Sequence, residues 1–325
     1  MSSFSHLSAA FTQALSVLPL AGLFTGALLV LFFRIAEVFS GKTFFNHMAR
    51  QSLQCVVACG LLFAILLGVL PLAGFLPAAA PGTAMRLPGI SLLFSGPQAF
   101  YALAAASVIC ALLALVCLAL WRKTRQFGLA QILFAALVCA AALIFVWLLY
   151  CAASSGFYGP LMQKIQTLLS SGFLAVQTVL DETPSGSAVT ASGAVLAAKL
   201  AFCSLVATLL SLGTALGACW LLLRRNCDDY GRDYYNFALA RICLVGCLLA
   251  AVALVCVVGY FFIADAFTQP DAAVMLALTA GPLAICLTIM AFTARSRTAL
   301  RQKPLLWLTL PLMILAVAML GALGY

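Results

Sequence analysis

Long apolar runs separated by short basic breaks set the rhythm of this chain. The runs fall at 14–38, 52–76, 98–121, 127–152, 196–223, 237–264, 272–294 and 304–324. A stretch of about 20 apolar residues spans a hydrocarbon core roughly 30 Å thick, and in lipid it must be helical because no water is there to satisfy the backbone. The pattern therefore predicts an all-α polytopic membrane protein with eight transmembrane helices. The first run reads as a retained helix and not a cleavable leader. Residues 1–13 carry no Lys or Arg, and the run exceeds the roughly 7–15 apolar residues of a signal core. Between the fourth and fifth runs, Leu161, Ile165, Leu168, Gly172, Val176 and Val179 recur at helical spacing opposite Gln163, Gln166, Thr167, Ser170 and Gln177. That pattern predicts an amphipathic helix on the outer membrane surface, and "DETPSGSAVTASG" after it has the composition of a flexible linker.

Composition agrees with the pattern, since 65% of the 325 residues are hydrophobic and 8% are charged, against roughly 25% charged in soluble domains. The net charge of +9 is a topology signal. Arg34, Lys42, Arg50, Arg122, Lys123, Arg125, Arg224, Arg225, Arg232, Arg241, Arg295, Arg297, Arg301 and Lys303 lie in or beside the breaks after spans 1, 3, 5 and 7. Only Arg86, Lys164 and Lys199 lie toward the other face. By the positive-inside rule the odd breaks are cytoplasmic and both termini are outside. A nucleic-acid partner is excluded, because these cations sit in short membrane turns and form no soluble basic surface.

The rare letters repeat. An offset of 191 lays Gly22 on Gly213, Gly26 on Gly217, Ala27 on Ala218, Arg34 on Arg225, Glu37 on Asp228 and Arg50 on Arg241. A one-residue adjustment places "GKTFFN", Gly41 to Asn46, over "GRDYYN", Gly231 to Asn236. An offset of 176 then sets Ile109 and Cys110 on Ile285 and Cys286, and Arg125 and Gln126 on Arg301 and Gln302. Charged residues are scarce in this chain, so the coincidences point to two four-helix units, 1–152 and 196–325, joined by an outer loop at 153–195. Four spans return the chain to its starting side, which makes the units parallel repeats about an axis along the membrane normal. Within them, Gly22 with Gly26 and Gly213 with Gly217 let helices pack backbone to backbone. Arg34 with Glu37 and Arg225 with Asp228 read as i, i+3 pairs that snorkel to water at the cytoplasmic ends. Phe44-Phe45 and Tyr234-Tyr235 read as interfacial belt residues in short turns.

Candidate chemistry is sparse. None of the 13 cysteines forms a CxxC pair, and the pairs Cys55/Cys59 and Cys243/Cys247 lack the further soft or imidazole ligands that a metal needs. They read as small buried hydrophobes. The two histidines, His6 and His47, lie outside the span centres as solvated residues, which leaves no axial pair for haem. No span centre holds a charged residue of the kind that proton or ion transport places there, and no Ser-His-Asp set, HExxH or phosphate loop is present. No catalytic or metal-binding residue is therefore assigned.

The run from Ala27 to Gly68 is similar to the first inner turn and second span of cytochrome bd-type quinol oxidase subunit I. Glu37, Ser40, Gly41, Lys42, Phe44 and Met48 fit the family's acidic helix end, Gly-containing turn and aromatics. The resemblance implies an outward N-terminus and paired four-helix bundles. The family's haem-ligand histidine in the first span has no counterpart, Ser16 or a neighbour standing there. Its third-span glutamates meet only apolar and small residues between Gln98 and Trp121. The chain then resembles a haem-less derivative, and its eight spans in two bundles also resemble the haem-free quinol anchors of polysulfide- and dimethylsulfoxide-reductase type. The expectation is a non-catalytic integral subunit of a respiratory complex in a bacterial plasma membrane. It would bind no cofactor of its own, would contact quinone, and would have the lipid bilayer and other membrane or redox subunits as partners. The alternative is a transporter for an apolar or neutral solute with its site between the two repeats.

Overall fold

The computed structural model describes residues 2–72, 98–121, 123, 128–153, 188–228, 230–263 and 272–322. Among them the chain forms eight α-helices and no strand. These are α1 (Ser2–Ser40), α2 (Thr43–Leu72), α3 (Gln98–Leu120), α4 (Gly128–Ala153), α5 (Ala188–Arg224), α6 (Arg232–Ile263), α7 (Ala272–Arg295) and α8 (Lys303–Ala322). A short 3-10 turn, Ala299–Gln302, precedes α8. Seven helices are long and apolar enough to cross a membrane, and in α3 the apolar helix described is Ala104–Leu120. The chain is a multi-pass membrane protein, all-helical among the described residues. The expected amphipathic helix at 161–179 lies outside the described residues.

Helices overrun the apolar spans because a helix ends where its backbone finds a cap, not where hydrophobicity stops. α1 reaches Ser40 and is closed by Gly41, whose φ of +66° is the left-handed conformation that glycine adopts without steric cost. Its N–H donates to the Glu37 carbonyl at 2.7 Å. α2 begins two residues on and α6 begins at Arg232, so Phe44-Phe45 and Tyr234-Tyr235 lie in first helical turns. The expected belt of interfacial turn residues is thereby corrected for three of the four, since Phe45, Tyr234 and Tyr235 are buried, while Phe44 stays exposed.

The packing has two four-helix rings. In one, α1 touches α2, α2 touches α3, α3 touches α4 and α4 returns to α1, and the other repeats that order through α5, α6, α7 and α8. α1 packs on α5 and also on α8, which joins the rings. The surface is inverted relative to a soluble bundle. Leu129, Leu133 and Leu137 of α4 and Leu244, Leu248, Val252 and Val255 of α6 are exposed at helical spacing, while Ser204, Thr208, Ser211 and Thr214 of α5 are buried. Lipid rewards that arrangement, because small hydroxylated residues let helices approach and satisfy their own polar atoms. Thr208 and Thr214 donate to carbonyls of Ser204 and Ser211, each at 2.7 Å.

Candidate functional site

Glycines let the two rings approach closely between α1 and α5. A Cβ on Gly22 would lie 2.4 Å from Leu216 Cδ2 and 2.6 Å from Cys59 Sγ, and one on Gly213 would lie 2.4 Å from Thr25 Cβ and 2.5 Å from the Ala21 carbonyl. The contacts are reciprocal, since the 191-residue offset carries Gly22 to Gly213 and Thr25 to Leu216. Gly26 is equally crowded, by Val56 at 2.8 Å, whereas Gly217 has Leu29 at an ordinary 3.9 Å. Three of the four glycines thus permit close packing, and the fourth does not need to be glycine.

Toward the end where the basic breaks lie, the two hexapeptides meet. Phe44 stacks edge-on against Tyr234 at 5.9 Å between centroids, and Phe237 packs against Phe44 at 5.5 Å and Phe45 at 5.4 Å. Beside them a polar cluster crosses the ring boundary. Gln51 of α2 donates from Nε2 to Asp228 Oδ2 at 2.8 Å and to Tyr235 at 3.5 Å, and its Oε1 accepts from the Tyr234 hydroxyl at 2.5 Å. Asp228 accepts from Arg224 Nη2 at 2.8 Å. An amide suits this position because its two ends offer, at once, a donor to a carboxylate and an acceptor to a phenol. His47 packs on Tyr230 at 4.6 Å and Tyr234 at 6.0 Å, so it is half-buried among rings and not the solvated residue expected. Sequence reasoning left Gln51 out; a polar residue recurring one turn beyond His47 was the available signal.

The matched ion pairs differ. Arg34 pairs with Glu37 as expected, but it is 3% exposed, donates to the Gly128 carbonyl at 3.4 Å and lies 5.8 Å from the Trp121 ring. It closes ring one instead of snorkelling to water. Asp228 pairs with Arg224, not Arg225, because α5 stops at Arg224 and leaves Arg225 outside the helix. The matched asparagines serve one purpose: Asn46 accepts from the Trp121 indole at 2.7 Å, and Asn236 accepts from the Leu300 backbone N–H at 3.0 Å. Each ties the start of its ring's second helix to the link between the third and fourth. Arg50 and Arg241 contribute no ion pair among the described residues, and Arg241 stacks on Phe237 at 5.3 Å.

Between the rings, Gly26, Gln51, Ser52, Gly213, Trp220 and Ile242 line a cavity of about 10 Å³. Gln51 and Ile242 are matched positions under the 191-residue offset, so the cavity has one polar and one apolar wall. Among the described residues no group of His, Cys, Asp and Glu could hold a metal ion. Cys55 and Cys59 approach to 3.9 Å, both buried, while Cys203 and Cys227 are exposed. Comparison with protein-family models, curated proteins and solved structures finds no match.

Proposed function

We propose that the chain is a non-catalytic, eight-span subunit of a respiratory or quinone-linked complex in a bacterial plasma membrane, built as a duplicated four-helix unit with both termini outside. The observation that carries the non-catalytic reading is the filled boundary between the rings. Its cavity of about 10 Å³ admits the centre of about one water and no substrate. Its polar cluster is occupied with internal hydrogen bonds. Support for the duplication is the reciprocal Gly22/Leu216 and Gly213/Thr25 contact and the equivalent work of Asn46 and Asn236.

The respiratory assignment rests on the similarity of residues 27–68 to quinol oxidase subunit I. In a haem-less derivative the redox chemistry belongs to partner subunits, and quinone reaches this chain through its lipid-facing surface. Purification from native membranes in mild detergent, with a visible spectrum, quinone extraction and identification of co-purifying chains, tests the proposal. A haem- or iron-sulfur-bearing partner is the expected result, and purification with neither redox partner nor quinone overturns it. The rival reading, a transporter for an apolar or neutral solute, draws on the buried Trp220 Nε1, which has no hydrogen-bond partner among the described residues and belongs to a cavity-lining side chain. Labelling of a cysteine at Gly217 by a water-soluble maleimide from both membrane faces would favour that rival.

A further inference from the structure

We infer that the groove where α1 turns into α2 binds the phosphate-bearing headgroup of an anionic phospholipid. The groove, about 330 Å³, is lined by Gly41, Lys42, Thr43, Phe44 and Phe237. One cation lines it and a second packs on the same wall: Lys42 Nζ lies 6.0 Å and Arg241 Cζ 5.3 Å from the centroid of the Phe237 ring. Neither has an acidic partner among the described residues, where the ion pairs are Arg34–Glu37 and Arg224–Asp228. The opening N–H groups of α2, which by helix geometry lack intrahelical acceptors, border the groove at Thr43 and Phe44 and add to the attraction for an anion.

Position selects a lipid over a soluble phosphate compound. Arg241 is exposed and lies nine residues into α6, which places it about 13 Å along a membrane-crossing helix. An unpaired cation on that surface is costly unless it meets a counter-anion at headgroup level, to which a long side chain can reach back. Directly along the same helix face run the exposed Leu244, Leu248, Val252 and Val255. The face therefore offers a cation at its head and an apolar track beneath it, matching a phosphate and its acyl chains. The Phe237 ring of the groove wall is within cation–π reach of both side chains and limits how far either can swing away.

The test uses the full chain in mixed micelles of phosphatidylcholine with a minor share of phosphatidylglycerol, with retained lipid counted by native mass spectrometry. Wild type retains phosphatidylglycerol over phosphatidylcholine. Lys42→Gln or Arg241→Gln lowers that retention about fivefold and the double variant about thirtyfold, on the usual contribution of one basic residue near an anionic surface. Arg241→Lys keeps the charge and retains near wild-type binding, and Arg297→Gln, an exposed cation at the same end that neither lines the groove nor packs on Phe237, leaves retention unchanged. Equal retention of the two lipids overturns the inference, as does an Arg241→Lys loss matching that of Arg241→Gln, which would indicate packing and not charge. Displacement of the lipid by glycerol phosphate at equal concentration would assign the groove to a soluble phosphate compound and likewise overturn it.

Discussion

The link from α1 to α2 takes two residues, Gly41 and Lys42, whereas the link from α5 to α6 takes the seven residues 225–231. Rare letters match across these links, yet their bonds do not. Because α1 stays helical to Ser40, Arg34 and Glu37 remain one turn apart and the guanidinium is pressed against Trp121 inside ring one. Because α5 ends at Arg224, Asp228 is free to turn back to Arg224 and to reach Gln51 in the other ring. On the longer link one carboxylate serves both an ion pair within its own ring and a hydrogen bond from the other ring. Matching residues therefore identify equivalent places in the fold without guaranteeing equivalent partners.

Arg34 and Arg225 put that difference to its hardest test. Arg34→Gln removes a buried partner of Glu37 and should cost about 2–4 kcal/mol, while Arg225→Gln, which breaks no ion pair among the described residues, should stay within about 0.5 kcal/mol. Thermal unfolding in detergent decides it, and equal losses would mean that the two arginines do the same work after all. Next in size, Gly213→Ala forces a methyl against the α1 backbone and should cost about 1–3 kcal/mol, whereas Gly217→Ala meets only Leu29 at 3.9 Å and should be neutral. The same melts read both.

Gln51→Leu strands the Tyr234 hydroxyl and one Asp228 oxygen, and a loss of about 1–3 kcal/mol is expected. Its matched position already holds Ile242, so Ile242→Leu should cost under about 1.5 kcal/mol. The asparagines sharpen the similarity instead. Asn46→Ala and Asn236→Ala should each cost about 1 kcal/mol and add to within about 0.5 kcal/mol in the double variant, as independent sites do. Smallest, Gly41→Ala must enter the left-handed region and should cost about 1 kcal/mol, against no measurable change for Gly231→Ala, where an added Cβ would meet nothing within 4 Å. Chemical denaturation in mixed micelles has the resolution to separate that last pair.

Much of the architecture could be read from the pattern of residues. Hydropathy marks a membrane helix because lipid punishes every exposed peptide group, so the apolar runs coincide with helices to within their polar extensions. Glycine and charge are rare enough here to stand out, which is why Gly22, Gly213 and Arg34 drew notice before any contact was known. The site was less legible. Whether Arg34 faces water or Trp121, and whether Asp228 chooses Arg224 or Arg225, depends on where a helix ends, and that is settled by a cap and a neighbour from another part of the chain. Gln51 is not marked out by its local sequence, because its partners lie 177 to 184 positions away.

The central place of α1 has a consequence in time. A ribosome adds about 5–20 residues per second, so the 191 residues separating Gly22 from Gly213 take roughly 10–40 s to synthesise. During that interval the strip formed by Ala21, Gly22 and Thr25 has no α5 to cover it and must be sheltered by lipid or by the insertion machinery. α8, the other neighbour of α1 from the second ring, emerges later still. α1 thus enters the bilayer well before the two second-ring helices that complete its packing, and the nascent chain is held open at this strip until both have been made.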